Sequence, residues 1–478
     1  MVDLMALSGQ PHQTSVAERA ARVRFRRALA LMAMTLVVPG SAQLVAGNRK
    51  IGRVAIRIWL GTLLVGTVLL VAVVLDRKIA FRLGTDANLL LVLWLALIGG
   101  ALGWAGLFID AWRIGNPLSL RIQHRRAVVG LNGILCFGVA GTLLFGAHLV
   151  NIHRDWVIAV FGDGEVTGAH HGRYNVLLLG GDSGAGRWGL RPDSMTVASI
   201  DAKTGKTVLI GLPRNLAKFP FAEGSVMDKQ FPRGFDCDGC YLNGVSTWAG
   251  DHTDLFGDSD NPGVDATIMA IEGITDLTIN YWAMVNLAGF KQLVDAVGGV
   301  TLNVRQPIPI GGLGDDVTGY VQPGKQKLNG FEALWFARAR EGSDDYSRMA
   351  RQKCVLNAML HQLSPETVLT HFSDLAKASS DMFSTNMPAS EASRFIDLAL
   401  KARDQKVATL SLVPPMINTG DPDIGLVQEK VQLAIDRSEG DAPPAKKRKK
   451  GGSVTGGSLG SLNDGYAANE SDDLSAAC

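Results

Sequence analysis

The sequence predicts an α/β fold, a central mixed sheet flanked by helices, preceded by a transmembrane helical region. Strand-length runs rich in Val, Ile and Leu stand at Val176–Leu179, Met195–Ile200 and Val208–Leu212, which suits strands buried in a sheet. From Leu287 to Val304 a helical pattern, a Gly298-Gly299 turn and a strand follow one another, the order of an α/β unit. Four apolar stretches precede residue 151. The 478-residue chain is 47% hydrophobic with a net charge of +2; that balance offers no argument for nucleic acid, whereas the uneven spread of apolar residues is informative.

Residues 1–27 form a basic N-terminus assigned to the cytoplasm, and 28–150 a membrane region. The stretches 58–75, 89–109 and 128–150 are uncharged and long enough to span a bilayer core. Residues 28–46 differ, because Pro39-Gly40-Ser41 and Gln43 interrupt them and arginines flank both ends. By the positive-inside rule both flanks stay in the cytoplasm, so this stretch is re-entrant or interfacial. Three spans from a cytoplasmic N-terminus place residues 151–437 outside as the catalytic domain, a multi-pass membrane protein with its chemistry extracytoplasmic. The basic loop at Arg77, Lys78 and Arg82 fits this topology less well.

Past the membrane, His153–Arg173 reads as a short connector. Asp201–Lys206 (DAKTGK) is a hairpin turn between two core strands. A long irregular stretch runs to Asp265 and contains Cys237-Asp238-Gly239-Cys240; such a run is expected to be functional or mobile. A zinc site would need further ligands, and a redox dithiol would need a strand and helix around it, so a local disulfide is preferred over free thiols. Helices are expected at 266–276, 328–339, 349–363 and 383–400, and strands at 279–285, 300–304 and 407–412. No nucleophile is suggested by Cys136, Cys354 or Cys478. Residues 438–478, a basic then Gly/Ser-rich then acidic tail, offer no apolar face and are expected to be disordered. Lys446–Lys450 resembles a nucleic-acid patch, but behind a membrane anchor it reads as solvated tail or loose contact with anionic polymer.

The chemistry-bearing residues fall into two clusters. Asp182 follows the first core strand, Asp193 precedes the second, and Arg191 and Arg214 stand beside them at strand ends. Two carboxylates at one sheet edge are enough to hold a hard divalent cation whose other positions go to water and phosphate, and guanidinium forks match phosphate oxygens. The alternative is ordinary surface ion pairing. The second cluster is ARAREGSDDYSRMARQ, with Arg338 and Arg340 before a Gly-Ser break. If a helix begins near Asp345, Arg348 and Gln352 share one face and Arg351 points elsewhere.

With both clusters in view, the chain resembles the LytR-CpsA-Psr (LCP) family of bacterial envelope proteins. The resemblance covers Tyr174 to Leu363 through LLLGGD, RPDSMTVASID, PRN after a strand, LVDAVGGVTLNV, LNGFEALWFARAR and DDYSRMARQ, in that order. The multi-span N-terminus, C-x-x-C loop and basic tail resemble its actinobacterial branch. The resemblance implies an LCP-type α-β-α fold with a lipid pocket. It implies transfer of a glycopolymer from a polyprenyl-pyrophosphate carrier to peptidoglycan, with arabinogalactan, a teichoic-type polymer or a capsule as the polymer. It also implies Mg²⁺ (Mn²⁺ as a substitute) on Asp182 and Asp193, and a pyrophosphate gripped by Arg191, Arg214, Arg338, Arg340, Arg348 and Gln352. Partners are therefore the lipid-linked glycan, peptidoglycan and the membrane, with no nucleic acid. Competing functions are a pyrophosphatase that hydrolyses the carrier and a non-enzymatic membrane-bound regulator, for which 27 N-terminal residues leave no room for a helix-turn-helix. Where the family usually has Ser-Ile-Pro-Arg-Asp this chain has Gly211-Leu212-Pro213-Arg214-Asn215, so Arg214 is expected to be held differently; a lysine common before the Leu242-Asn243-Gly244 motif is Tyr241 here.

Overall fold

The computed structural model describes residues 16–75, 79–80, 83–84, 86–160, 165–181, 191–312, 315–341, 343–362, 383–444 and 469–478. The chain divides into two compact units, residues 1–155 and 156–478.

The first unit is helical: α1 (Val16–Val37), α2 (Ser41–Ala46), α3 (Arg49–Leu75), α4 (Ala87–Ile114) and α5 (Ile122–Val160). The last three contain the predicted spans and are long and apolar enough to cross a membrane. The first apolar stretch is broken at Pro39-Gly40, between α1 and α2. Gly40 has φ 94°, and a Cβ there would lie 2.6 Å from Ala55 Cβ, so only glycine permits both the turn and the close approach of α3. Buried Gln43 donates Nε2 to the Leu107 carbonyl at 2.9 Å, and Trp104 Nε1 donates to the Thr35 carbonyl at 2.9 Å. These bonds fasten the broken segment to α4. Because α5 continues to Val160, the connector expected from His153 starts as helix.

In the second unit the strands are β1 (Arg173–Gly181), β2 (Pro192–Asp201), β3 (Thr207–Leu212), β4 (Tyr281–Asn286), β5 (Val300–Val304), β6 (Ile308–Gly312), β7 (Asp315–Val321), β8 (Gly324–Leu328), β9 (Phe383–Thr385), β10 (Ala408–Ser411) and β11 (Glu470–Ser471). The helices are α6 (Val226–Gln230), α7 (Val245–Gly250), α8 (Pro262–Thr275), α9 (Leu287–Ala296), α10 (Gly330–Arg338), α11 (Asp345–Gln362), α12 (Ala389–Arg403), α13 (Ile424–Glu439) and α14 (Leu474–Ala477). Seven strands form one sheet in the order β11-β10-β3-β2-β1-β4-β9. The β1–β2 and β2–β3 pairs are antiparallel, while β4 runs parallel to β1 and β10 parallel to β3, so the sheet is mixed.

The period-two alternation of strands sorts the core into two layers. Leu177, Leu179, Met195, Val197, Val208, Ile210 and Leu212 face α8 and α13. Ala198 and Leu209 face the opposite way, toward α9, α10 and α11. Helices therefore cover both faces, the expected α-β-α arrangement.

Several expectations are corrected. Residues 216–265 are not a loose loop: Leu216, Phe219, Met227, Leu242, Val245 and Ala249 are fully buried, and short helices α6 and α7 lie within the stretch. It has exchanged regular ladders for a cluster of phenylalanines, Phe219, Phe221, Phe231 and Phe235, packed at centroid distances of 5.1 to 5.9 Å. Strand β5 pairs with β8 in a separate two-stranded ladder rather than joining the main sheet. The expected helix over 383–400 begins only at Ala389, because Phe383–Thr385 pairs with β4 as an edge strand. The tail expected to be disordered from 438 is ordered at its far end, where β11 pairs with β10 and Cys478 is bonded to Cys354. Cys237 and Cys240 are bonded to one another. Lys446–Lys450 lies outside the described residues.

Candidate active site

The strand ends and two helices converge on one cavity of about 800 Å³. β1 contributes Gly180 and Gly181, and β2 contributes Asp193 and Ser194 from its first turn of pleat rather than from the preceding loop. Arg214 follows β3. α10 delivers Arg338 at its last residue, since its capping box on Asn329 and Glu332 fixes where the helix starts. A Cβ on Gly330 would collide with the Lys291 carbonyl, so this glycine lets α10 lie directly against α9. Arg340 follows in the loop, and α11 supplies Arg348 and Gln352, one turn apart on one face.

Among the described residues lining the cavity, the charged groups are Arg191, Arg214, Arg338, Arg340 and Arg348 against a single carboxylate, Asp193. The six predicted arginine and glutamine residues and Asp193 are thus brought together. Asp182 lies outside the described residues.

The electrostatics are organised by two acids. Arg214 donates Nη1 to Asp193 Oδ1 at 2.7 Å and Nε to Asp345 Oδ2 at 2.8 Å. Asp345 also faces Arg348 at 3.2 Å and Arg340 at 3.7 Å. The asparagine at 215 therefore costs Arg214 nothing: it is held by Asp193 and by Asp345 from α11. Burial pushes the Asp193 carboxyl up, but the hydrogen bond from Arg214 and the charges of Arg348, Arg214 and Arg340 outweigh it and hold it below its ordinary value. For Arg214 burial works against the charge, and its bonds to Asp193 and Asp345 raise it overall. Arg348 is 4% exposed, so burial dominates and lowers it despite Asp345 and Asp193. Its Nη2 donates to the Asp193 carbonyl at 2.9 Å, while its buried Nε has no acceptor among the described residues. An anion in the cavity would meet donors already held in place.

Three supporting residues escape a reading of the sequence. Asn243 Oδ1 accepts from Arg191 Nη2 at 3.4 Å, across 52 positions of sequence. Ser194 Oγ donates to Gln352 Oε1 at 3.0 Å, orienting the amide; its position beside Asp193 at a strand end was the available signal. Arg351 does point away from Arg348 and Gln352, but into the protein: fully buried, it bonds the Ala339 carbonyl and Ser343 Oγ and so braces the loop that carries Arg340. Burial and the neighbouring Arg348 charge lower it to about 10, with Asp344 opposing.

The donor set suits a magnesium-sized cation in one respect. Asp193 spends Oδ1 on Arg214, and its second oxygen makes no hydrogen bond among the described residues. One or two carboxylates with phosphate and water completing the shell is the usual way Mg²⁺ is held beside a substrate. The remaining wall is apolar, with Leu178, Leu287, Phe290, Leu293, Leu334 and Met359. A lining that combines guanidiniums with apolar side chains suits a ligand that carries both a compact anion and a hydrocarbon portion.

Residues 153–421, more than half of the chain, match the model of the LytR_cpsA_psr family. The chain is 26% identical over 289 residues to Biofilm regulatory protein A of Streptococcus mutans, covering 59% of this chain and 65% of that protein. It is 27% identical over 267 residues to the polyisoprenyl-teichoic acid–peptidoglycan teichoic acid transferase TagU of Bacillus licheniformis, covering 54% and 76%. Among solved structures it resembles protein gbs0355 of Streptococcus agalactiae, with TM-score 0.43 and 23% identity over 61% of this chain and 93% of that one.

Proposed function

Starting from a chain that belongs to the LytR_cpsA_psr family, we propose that it is a membrane-anchored glycopolymer transferase. It moves a glycopolymer from a polyprenyl-pyrophosphate carrier to a hydroxyl of peptidoglycan, outside the cytoplasmic membrane. The observation that carries this is the lining of one cavity by five guanidiniums together with many apolar side chains. Several relatives are named as transferases of teichoic acid to peptidoglycan, which supports the reaction class.

In this reaction the acceptor hydroxyl attacks the phosphorus next to the glycan. The bond from that phosphorus to the bridging oxygen breaks, and polyprenyl phosphate leaves, taking up the proton that the hydroxyl gives up. Phosphoryl transfer of this kind needs positioning and charge neutralisation more than covalent help. Arg191, Arg214, Arg338, Arg340 and Arg348 supply cationic donors, Gln352 adds a neutral amide, and the apolar wall holds the prenyl chain and excludes water. Asp345, shared by three arginines, serves as a positioning carboxylate, not a base. Asp193, with Asp182, would hold Mg²⁺, which when bound neutralises charge on the pyrophosphate oxygens.

The test uses the full chain in nanodiscs with a synthetic polyprenyl-pyrophosphate glycan and peptidoglycan fragments, with and without Mg²⁺, followed by mass spectrometry. Metal-dependent appearance of glycan phosphate on peptidoglycan is the expected outcome. Glycan phosphate released only to water, with acceptor in excess, would replace the transferase with a hydrolase.

A further inference from the structure

Residues 469–478 read NESDDLSAAC, a segment with one large aliphatic side chain. Such a sequence has no face of its own to bury, yet here it is closely bound. Leu474 is fully buried in the core layer beneath the cavity. β11 extends the sheet on β10, Leu474 N–H donates to the Val407 carbonyl at 2.8 Å, and Lys406 and Arg437 reach Asp473 and Glu470 at 3.1 and 3.6 Å. The segment also grips α11 along its length. Asn469 Nδ2 donates to the Tyr346 carbonyl at 3.4 Å at the helix start. Asn357 Nδ2 donates to Ser475 Oγ at 3.1 Å, and His361 Nε2 lies 3.2 Å from the same hydroxyl near the helix end. Between these points Cys478 is bonded to Cys354 in the middle of α11.

α11 is the helix that carries Asp345, Arg348 and Gln352. We propose that residues 469–478 form a disulfide-fastened strap that positions α11, and with it these three side chains, for the reaction; the activity this serves rests on the function proposed above. The physical reason for the covalent link is entropic. A two-residue ladder and one leucine are a small return for ordering ten residues. A bond closing a separation of 124 residues confines the segment next to its docking site whenever the strap detaches. Asn469 extends the grip into the core: Ser411 Oγ donates to its Oδ1 at 2.7 Å, and Ser411 in turn accepts from the buried Lys353 amine, one residue from Gln352. The bond between Cys237 and Cys240 spans three positions. It lies outside this arrangement and serves as an internal control.

The experiment follows the full chain in nanodiscs under graded reduction with a trialkylphosphine. Each cleaved disulfide yields two thiols, with two electrons from phosphorus and the protons and phosphine-oxide oxygen from water. Alkylation and peptide mass mapping report which bond has opened, hydrogen exchange reports on residues 345–362, and glycan transfer reports kcat and KM. Opening the bond between Cys354 and Cys478 is expected to raise exchange through α11 and lower kcat about tenfold with a smaller change in KM, as misplacement of catalytic groups does. The same loss is expected in Cys478→Ser and in Leu474→Ala, which keeps both cysteines, and not in a Cys237→Ser/Cys240→Ser chain. A chain stopped after residue 468 should regain turnover when a synthetic 469–478 peptide is disulfide-linked to Cys354. Unchanged exchange of α11 in the reduced chain and in Leu474→Ala would overturn the strap, whatever the activity. Altered exchange with kcat unchanged would overturn its positioning role. A parent chain with no transfer at all would count against the proposed function, leaving the exchange result to decide whether the strap holds α11.

Discussion

The two faces of the central sheet are packed for different ends. The face toward α8 and α13 presents apolar side chains over its centre, Leu177, Leu179, Met195, Val197, Val208, Ile210, Leu212, Ala408 and Leu410, and is filled by the phenylalanine cluster of residues 219–235; its buried polar groups, Arg173, Asn175 and Ser199, stand together at one end, where Arg173 is paired with Glu439 of α13. The face toward α9, α10 and α11 alternates apolar residues with Ser194, Thr196, Thr409 and Ser411, buries Lys353 and Arg348, and leaves a cavity of about 800 Å³. Dense packing over the centre of one face lets the other carry the larger pocket and a buried ammonium held by hydroxyls, because net stability is a small difference between large terms. The face that is incompletely packed is the one equipped for chemistry.

The sharpest way to break this contrast is to truncate one phenylalanine on each face. Phe219 is fully buried and touches Phe221 and Phe235 at 5.7 Å, so Phe219→Ala is expected to cost about 3–5 kcal/mol in chemical denaturation. Phe290 lines the cavity and is only half-buried. Phe290→Ala should cost under about 1 kcal/mol of stability while raising KM for the lipid-linked donor about tenfold, the loss of roughly 1.5 kcal/mol of apolar contact. Equal destabilisation by the two changes would make the second face ordinary core.

Next in size is the charged end. Arg348 donates one nitrogen, Nη2, to both Asp345 and the Asp193 carbonyl, which leaves the rest of its planar guanidinium for a bound anion, a division of labour that a lysine ammonium lacks. Arg348→Lys should lower turnover about 100-fold, the scale of losing one preorganised donor to developing charge, with circular dichroism unchanged. Turnover within about twofold of the parent would show that a point charge suffices there.

The first face was easier to read from sequence than the second, and for a physical reason. Continuous apolar runs such as Val208–Leu212 declare a buried strand by themselves, and the Arg348/Gln352 spacing declares a helix face. The ordered fit of residues 216–249 was not legible, because its aromatic contacts pair residues through turns with no period. Phe383–Thr385 is three residues long and becomes a strand only because β4 offers an open edge. Residues 469–478 depend on Cys354, so their polar composition pointed to disorder. Asn243 as the partner of Arg191 required knowing how that aperiodic stretch folds back.

The remaining expected effect tests the burial of Lys353, which separates the faces because the buried cation of the first, Arg173, is paired with the Glu439 carboxylate, whereas Lys353 is held by hydroxyls. Its amine donates to Thr409 Oγ1 at 2.6 Å and to Ser411 Oγ, with no carboxylate partner among the described residues, and burial lowers it from its ordinary value of 10.5 to about 7. Below pH 7 both folded and unfolded chains carry the proton, and the native state bears the full cost of a buried ammonium. Between about 7 and 10.5 the unfolded chain binds more protons than the folded one, so stability rises with pH across that window, by about 1.4 kcal/mol per pH unit at most. The thermal midpoint of the parent should therefore climb from pH 7 to pH 9, and that of Lys353→Met should climb less, since its thioether does not titrate. Equal slopes in the two proteins would mean that the amine stays charged in the fold, with its two hydroxyl partners and the adjacent Asn469 solvating it well enough to cancel the cost of burial.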